Sequence, residues 1–299
     1  MFSVVDQRRF LVIHNPTAGR RRRRRLDVVL HLLAEAGCRI DLAPTSRRGD
    51  AEEFAAAAGA VDAVVAAGGD GTINEVANGL LRRQAAGQAP IPLGIVPLGT
   101  ANVLAAEIGL ATDPDSVVRT LLHGAPRAIH PGLVNDRYFL CMAGAGLDAF
   151  VVQDVDLRLK WLLGKPAYAF QTVKRLLQPQ ERCYTVTVDG VAHQAAQVIL
   201  AKGRFYAGTF IIAGAARLTE PLLYACLFHR AGRWPALRYI AAVLLGFSHR
   251  LSDVSILPAH KVQIDGTAGH PVQGDGDCIA LLPADVSVSA TGLPVLYPA

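Results

Sequence analysis

Gly68-Gly69-Asp70-Gly71-Thr72 sets three glycines and a threonine around one carboxylate, between the apolar run Ala63–Ala67 and a helical pattern. Such a stretch can be an ordinary strand-to-helix turn. It can also seat a phosphate, because glycine lets an anion approach the backbone and the helix start supplies outward N–H groups. Asp70 cannot itself bind phosphate, so its use would be to orient loop amides or to reach a divalent cation bridging phosphates. A second segment repeats the grammar: the apolar text ending at Pro97 is followed by Gly99, Thr100 and Asn102, then another helical pattern. A third candidate, HNPTAG, spans His14 to Gly19. Three such turns favour a phosphate cleft over coincidence. Neither GxxxxGK[ST] nor GxGxxG occurs, which argues against a P-loop NTPase and a dinucleotide redox enzyme.

The elements that must position these turns alternate. RRFLVIHN, CRIDLAPT, VDAVVAAGG and IPLGIVPLG read as strands; LDVVLHLLAEAG, DAEEFAAAAG, TINEVANGLL and ANVLAAEIGL read as helices between and after them. DPDSVVRTLLHG adds a helix with Asp113 as N-cap and Pro114 at its first position. Strands alternating with short helices imply an α/β, doubly wound, mostly parallel sheet. Past about residue 126 the texture becomes strand-like, with hairpin turns at Asn135-Asp136 and Asp189-Gly190. The expectation is an α/β domain over 1–126 and an antiparallel β-sandwich with helical inserts over 127–299, the extreme C-terminus packing back on the first.

Hydrophobic residues make up 51% and charged ones 18%, so the chain forms a core rather than a disordered ensemble. Its most membrane-like stretch, Ala236–Phe247, carries Arg238 and falls short of the roughly 20 residues a spanning helix needs. The N-terminal text places Asp6 and two arginines before its apolar core with no small-residue cleavage site, so a cytoplasmic compartment is expected. The five cysteines stand singly and read as reduced core thiols; no His/Cys spacing suggests zinc. The net charge of +5 owes much to six consecutive arginines, Arg20–Arg25. Cations at a helix N-terminus oppose the macrodipole, so the run serves membrane phosphates, a plain solvated surface or, less well, nucleic acid.

GGDGTINEVANGL, PLGTAN and the upstream NPTAG together resemble the diacylglycerol kinase catalytic domain family, in particular its small bacterial lipid kinases, with sphingosine, ceramide and more distantly NAD kinases as kin. The resemblance covers essentially the whole chain. It implies ATP- and Mg²⁺-dependent phosphorylation of a lipid hydroxyl, with the nucleotide in a cleft between two domains. Matched by motif, the ATP contacts would be Asn15, Thr45, Gly68, Gly69, Asp70, Gly71, Thr72, Asn74, Glu75, Gly99, Thr100 and Asn102. The family's catalytic carboxylate lies in a late Asp-Gly-Glu hairpin; here Asp275-Gly276-Asp277 stands there, so Asp277 would be the base, with Asp275 and Asp70 as further catalytic candidates. The text around Asp265 competes for the base but lies too early and lacks a carboxylate two residues on. The family's structural Mg²⁺ turn would correspond to Arg217, Glu220 and Leu222, with Glu220 and Pro221 replacing its Asp-Gly. Trp161, Arg233, Trp234 and Arg238 flank apolar helices in a manner suited to a membrane interface. The implied partners are ATP, a membrane lipid and the anionic inner face of the membrane; a homodimer is left open. An NAD kinase and a basic membrane- or nucleic-acid-binding protein are the alternatives.

Overall fold

Strands whose sequence carries no polar face end up with no solvent face. The computed structural model describes residues 8–16, 20–154, 175 and 183–298. The chain divides into two units, Met1–Ile129 with Thr291–Ala299, and His130–Ala290. In the first unit β1 (Arg9–His14), β2 (Arg39–Pro44), β3 (Ala63–Gly68) and β4 (Leu93–Pro97) run parallel in the order β2-β1-β3-β4. All six residues of β3 are buried, which is why its sequence is continuous in apolar residues rather than alternating. The sheet is completed by the C-terminal strand Leu293–Tyr297, next to β4, and by β5 (Ala125–Ile129), antiparallel to that strand.

The intervening helices are α1 (Arg20–Glu35), α2 (Asp50–Ala56), α3 (Asp70–Ala85), α4 (Val103–Glu107) and α5 (Pro114–His123). Asp113 caps α5 by accepting from the Ser116 N–H at 2.9 Å, with proline at the first helical position. Two helices begin earlier than the periodicity predicts. α1 takes in the whole arginine run, because arginine is a good helix former and Leu26, Val29 and Leu33 bury the continuing face. α3 begins at Asp70 rather than Thr72, with extended Gly69 at its N-cap and no side-chain cap.

In the second unit the first strands are β6 (Gly132–Val134), β7 (Arg137–Phe139) and β8 (Met142–Ala145), followed by helix α6 (Leu147–Asp154). Next come β9 (Tyr184–Val188), β10 (Val191–Ala195), β11 (Gln197–Ala201), the short β12 (Phe205–Tyr206) and β13 (Phe210–Ile211), and β14 (Leu223–Phe228). After α7 (Arg233–Leu244) follow β15 (Val254–Ala259), β16 (Lys261–Asp265), β17 (Pro271–Gly274), β18 (Asp277–Leu281) and β19 (Ala284–Val288). They form two six-stranded sheets, β10-β9-β16-β19-β6-β7 and β15-β14-β11-β8-β17-β18. Alternate residues of both, including Val186, Ile264, Leu200 and Leu227, meet in one apolar cluster, as a sandwich requires. The outward residues Ile199, Cys226 and Phe228 of the second sheet are covered by α7 through Tyr239 and Val243. Both hairpin turns read from sequence form: Asn135, Asp189 and Gly190 take positive φ of 52°, 46° and 89°. The helical insert expected around Trp161 lies outside the described residues except for Arg175. Among the described residues no helix is long and apolar enough to cross a membrane.

Candidate functional site

The parallel strands of the first unit end together. His14 is level with both Pro44 and Ala67, and Gly68 is level with Pro97. Backbone bonds then run on past the strand ends, from Thr45 N to His14 O at 2.9 Å, Asn15 N to Ala67 O at 3.2 Å and Leu98 N to Gly68 O at 2.8 Å. Asn15, Thr45, Gly68–Thr72 and Gly99–Asn102 are therefore delivered to one edge of the sheet. It is the carboxyl edge, where the strand order reverses between β1 and β3 and where doubly wound sheets collect ligands. The Thr45 loop is braced from behind: Asp50 accepts from the Ser46 N–H and hydroxyl, both at 2.7 Å, and from the Arg47 N–H at 3.0 Å. Those bonds hold the Asp50 carboxyl well below the usual carboxylate range.

The two glycine turns touch. A Cβ on Gly99 would lie 2.7 Å from the Gly69 Cα, and one on Gly69 would lie 3.2 Å from the Gly99 Cα. Asp70 joins them, its carboxylate accepting from the N–H groups of Asn102 at 3.0 Å and Val103 at 2.7 Å. Of the two uses read from sequence, the geometry gives Asp70 the orienting of loop amides. Burial pushes its pKa up, while the Val103 and Asn102 amides pull it back. Asn102 accordingly sits in the left-handed region, φ 50°, at the start of α4, with its Oδ1 buried and without a hydrogen-bond partner. The uncapped start of α3 offers backbone N–H groups that a phosphate oxygen would satisfy, while the Asn102 Oδ1, an acceptor, would take a hydroxyl donor of the same ligand. Asn74 faces inward instead, its Oδ1 accepting from Asn78 at 3.0 Å. Glu75 is half-buried on the same helix. From α1, Arg22 donates to Thr100 Oγ1 at 3.0 Å and Arg25 reaches the Pro97 carbonyl at 3.4 Å. The sequence reading did not connect the arginine run with this edge, because nothing in the local text says which way the helix turns its face.

In the second unit Asp275 and Asp277 separate in role. Asp275, at φ 51°, accepts from the N–H groups of Leu140 at 2.6 Å, Cys141 at 2.9 Å and Met142 at 3.1 Å. Of the carboxylates expected to be catalytic, Asp275 is thus the one that holds the turn entering β8. Asp277 follows Gly276 and opens β18, half-buried. Behind it, Gln273 accepts from the Gly276 N–H at 3.1 Å and donates to Asp148 Oδ2 at 3.1 Å. Asp148 escaped the sequence reading, although GAGLD is another glycine-rich strand exit followed by a carboxylate.

The turn matched to a structural Mg²⁺ does not fit a metal. The carbonyls of Glu220, Leu222 and Arg217 receive the Lys202 ammonium instead, at 2.6, 2.7 and 3.4 Å. The carbonyls of Arg217, Glu220 and Leu222, expected from the resemblance to hold a metal, are thus taken by an ammonium. Burial pulls the Lys202 pKa down to about 8, with the Glu220 charge opposing. Among the described residues no three His, Cys, Asp or Glu side chains cluster in a way that could hold a metal ion. On α7, Trp234 is 82% exposed and Leu245 74%. Arg233 lies beside them, but Arg238 pairs with Asp253, so its charge is neutralised within the unit. Trp161 lies outside the described residues.

Residues 9–134 match the diacylglycerol kinase catalytic domain model, and residues 141–297 match the YegS C-terminal NAD kinase beta sandwich-like domain model. The chain is 29% identical to the diacylglycerol kinase of Bacillus subtilis (strain 168), over 93% of this chain and 92% of that one. It is 31% identical to the diacylglycerol kinase of Mycobacterium tuberculosis (strain ATCC 25618 / H37Rv), over 82% and 79% respectively. A crystal structure of a diacylglycerol kinase from Bacillus anthracis str. Sterne superposes with a TM-score of 0.73 at 21% identity, covering 97% of both chains. That likeness concerns the fold.

Two predictions follow from the carboxylates. Asp70→Asn removes one acceptor from the Asn102–Val103 amides and should destabilise the protein by about 1–3 kcal/mol, read by urea unfolding with unchanged far-UV circular dichroism. Burial, against the Ala149 N–H and Gln273 bonds, pushes the Asp148 carboxyl from 3.8 up to about 6. The folded state therefore holds that proton more tightly, and the associated stability is present below about pH 4 and lost as pH rises through about 6. Asp148→Ala should cost more at about pH 4 than at about pH 7, by roughly 1–3 kcal/mol, in paired urea titrations.

Proposed function

The chain belongs to the diacylglycerol kinase catalytic domain family, and we propose that it transfers the γ-phosphoryl group of ATP to the hydroxyl of a membrane lipid such as diacylglycerol. The observation that carries this reading is the in-register edge of the first unit, where two touching glycine turns and the uncapped start of α3 leave backbone N–H groups facing outward. Phosphoryl transfer asks the protein chiefly to position and to neutralise charge, and this edge is equipped for both. The N–H groups of Gly71 and Thr72 would take phosphate oxygens. Asn15, Thr45, Thr100 and Asn102 would supply side-chain contacts, and Gly68, Gly69 and Gly99 the backbone clearance. Asp70 acts one step back, by fixing the Asn102–Val103 amides. Mg²⁺, entering with the ATP substrate, would supply charge neutralisation on the phosphates.

The lipid hydroxyl oxygen bonds to the γ-phosphorus while the bond from that phosphorus to the β–γ bridging oxygen breaks, and ADP leaves with the electron pair. We assign acceptance of the hydroxyl proton to Asp277, which opens β18 at the hairpin position where the resembling family carries its catalytic carboxylate. The test is a panel of diacylglycerol, phosphatidylglycerol, monoacylglycerol and a sphingoid base, in mixed micelles with labelled ATP and Mg²⁺. One lipid should acquire label, and Asp277→Asn should lower its rate about 10²–10⁴-fold. No labelled lipid under conditions where a relative works, or NADP⁺ formed from NAD⁺, would overturn the assignment.

We also propose that the protein works at the anionic inner face of the membrane, entering the interface through the exposed side of α7. Trp234, Leu244 and Leu245 are 82%, 51% and 74% exposed while the opposite side of the helix packs on the sandwich. Replacing Trp234 and Leu245 together by serine should weaken co-sedimentation with phosphatidylglycerol vesicles by about tenfold or more. Unchanged sedimentation would remove α7 from the membrane contact.

A further inference from the structure

A side chain that is normally extended into solvent is here driven inward. Lys202 follows β11, where its own N–H bonds the Cys141 carbonyl at 2.8 Å, and it is 0% exposed. Its ammonium ends at the turn before β14. There the Glu220 and Leu222 carbonyls lie at 2.6 and 2.7 Å and the Arg217 carbonyl at 3.4 Å. Peptide carbonyls that converge on one point repel each other unless a positive charge stands between them. An ammonium suits this cradle: it has three protons for three acceptors, and its contacts fall at or just beyond ordinary hydrogen-bond lengths. Mg²⁺ would require oxygens at about 2.0–2.1 Å in an octahedron, in space that the amine fills with a like charge. The Glu220 carboxylate adds a favourable Coulombic interaction.

We propose that the turn Arg217–Leu222 is a cation site whose occupant is built into the chain, the Lys202 ammonium replacing a divalent ion. The second unit then needs no metal to hold this turn, and any Mg²⁺ requirement in turnover belongs to the nucleotide. Shortening Lys202 should restore the lost property. Lys202→Ala leaves the carbonyls and Glu220 around an empty position that an added cation can enter. Lys202→Met keeps most of the stem in place, removes the charge and sets an apolar methyl against the carbonyls, which disfavours a hydrated or coordinated cation there.

The experiment is thermal unfolding without nucleotide, in excess EDTA and then in millimolar Mg²⁺ or Ca²⁺. The unaltered protein should melt at the same temperature in both conditions. Both variants should melt lower in EDTA, by about 4 °C or more. Added cation should raise the Lys202→Ala midpoint by several degrees and leave Lys202→Met where it was. A midpoint of the unaltered protein that falls in EDTA would overturn the proposal, and that arm needs no variant to fold. So would a Lys202→Met protein as stable as the original, or equal cation responses in the two variants.

Discussion

Bare backbone contact between two turns is the constraint on which the first unit's edge depends. Gly69 and Gly99 approach so closely that a methyl group on either would meet the other's Cα, at 3.2 or 2.7 Å. That approach lets Asp70 reach across to the Asn102 and Val103 amides and lets Leu98 bond the Gly68 carbonyl. A side chain at either position would press the β3 and β4 exits apart, and a close-packed interior transmits such a strain rather than absorbing it. The start of α4, the Thr100 hydroxyl and its bond to Arg22 would all move with it. Glycine here serves the fit of one turn against another as well as the approach of a ligand.

Strand and helix order was legible because the signals are local. β3 is apolar throughout because both its faces are covered, and Asp113-Pro114 is a cap that can be read without a structure. Helix starts were less legible: arginine does not resist a helix, and a glycine N-cap leaves no side-chain mark, so α1 and α3 began before their apolar pattern. The glycine edge was readable as a type of turn, but the partner of each charge was not. Asp275 finds its amides 133 to 135 residues back along the chain, and the Lys202 acceptors lie 15 to 20 residues ahead. No spacing rule connects positions so far apart, so neither set of partners is legible in the sequence.

In this chain several buried or half-buried charges are balanced by backbone dipoles rather than by opposite side chains. Asp70 gathers two N–H groups, Asp275 three, and Lys202 three carbonyls. Hydrogen bonds to the charged form offset the loss of water, and each charge fixes the course of a loop. A carboxylate in a glycine-rich turn is therefore ambiguous from sequence alone: the same text can mark a reacting group or the fastening of a neighbouring segment. What separates Asp277 from Asp275 is which of the two the Leu140–Met142 amides already occupy.

The arginine run shows how the same principle bears on the nucleotide. Arginines in the first turns of α1 oppose its macrodipole, so they weaken the helix they begin. The helix divides the described ones: Arg22 and Arg25, three residues apart, turn toward the β4 exit, while Arg23 and Arg24 are exposed. Arg22 donates to the Thr100 oxygen, which leaves the hydroxyl proton available to a further acceptor. A guanidinium, a hydroxyl and the start of α4 then stand close together, with the Asp70 carboxylate bonded to the amides of that helix start. An anion at this edge would meet the Arg22 guanidinium and could accept from the Thr100 hydroxyl. Arg22 and Arg25 are thus accounted for by the edge they reach, and Arg23 and Arg24 stand as solvated surface.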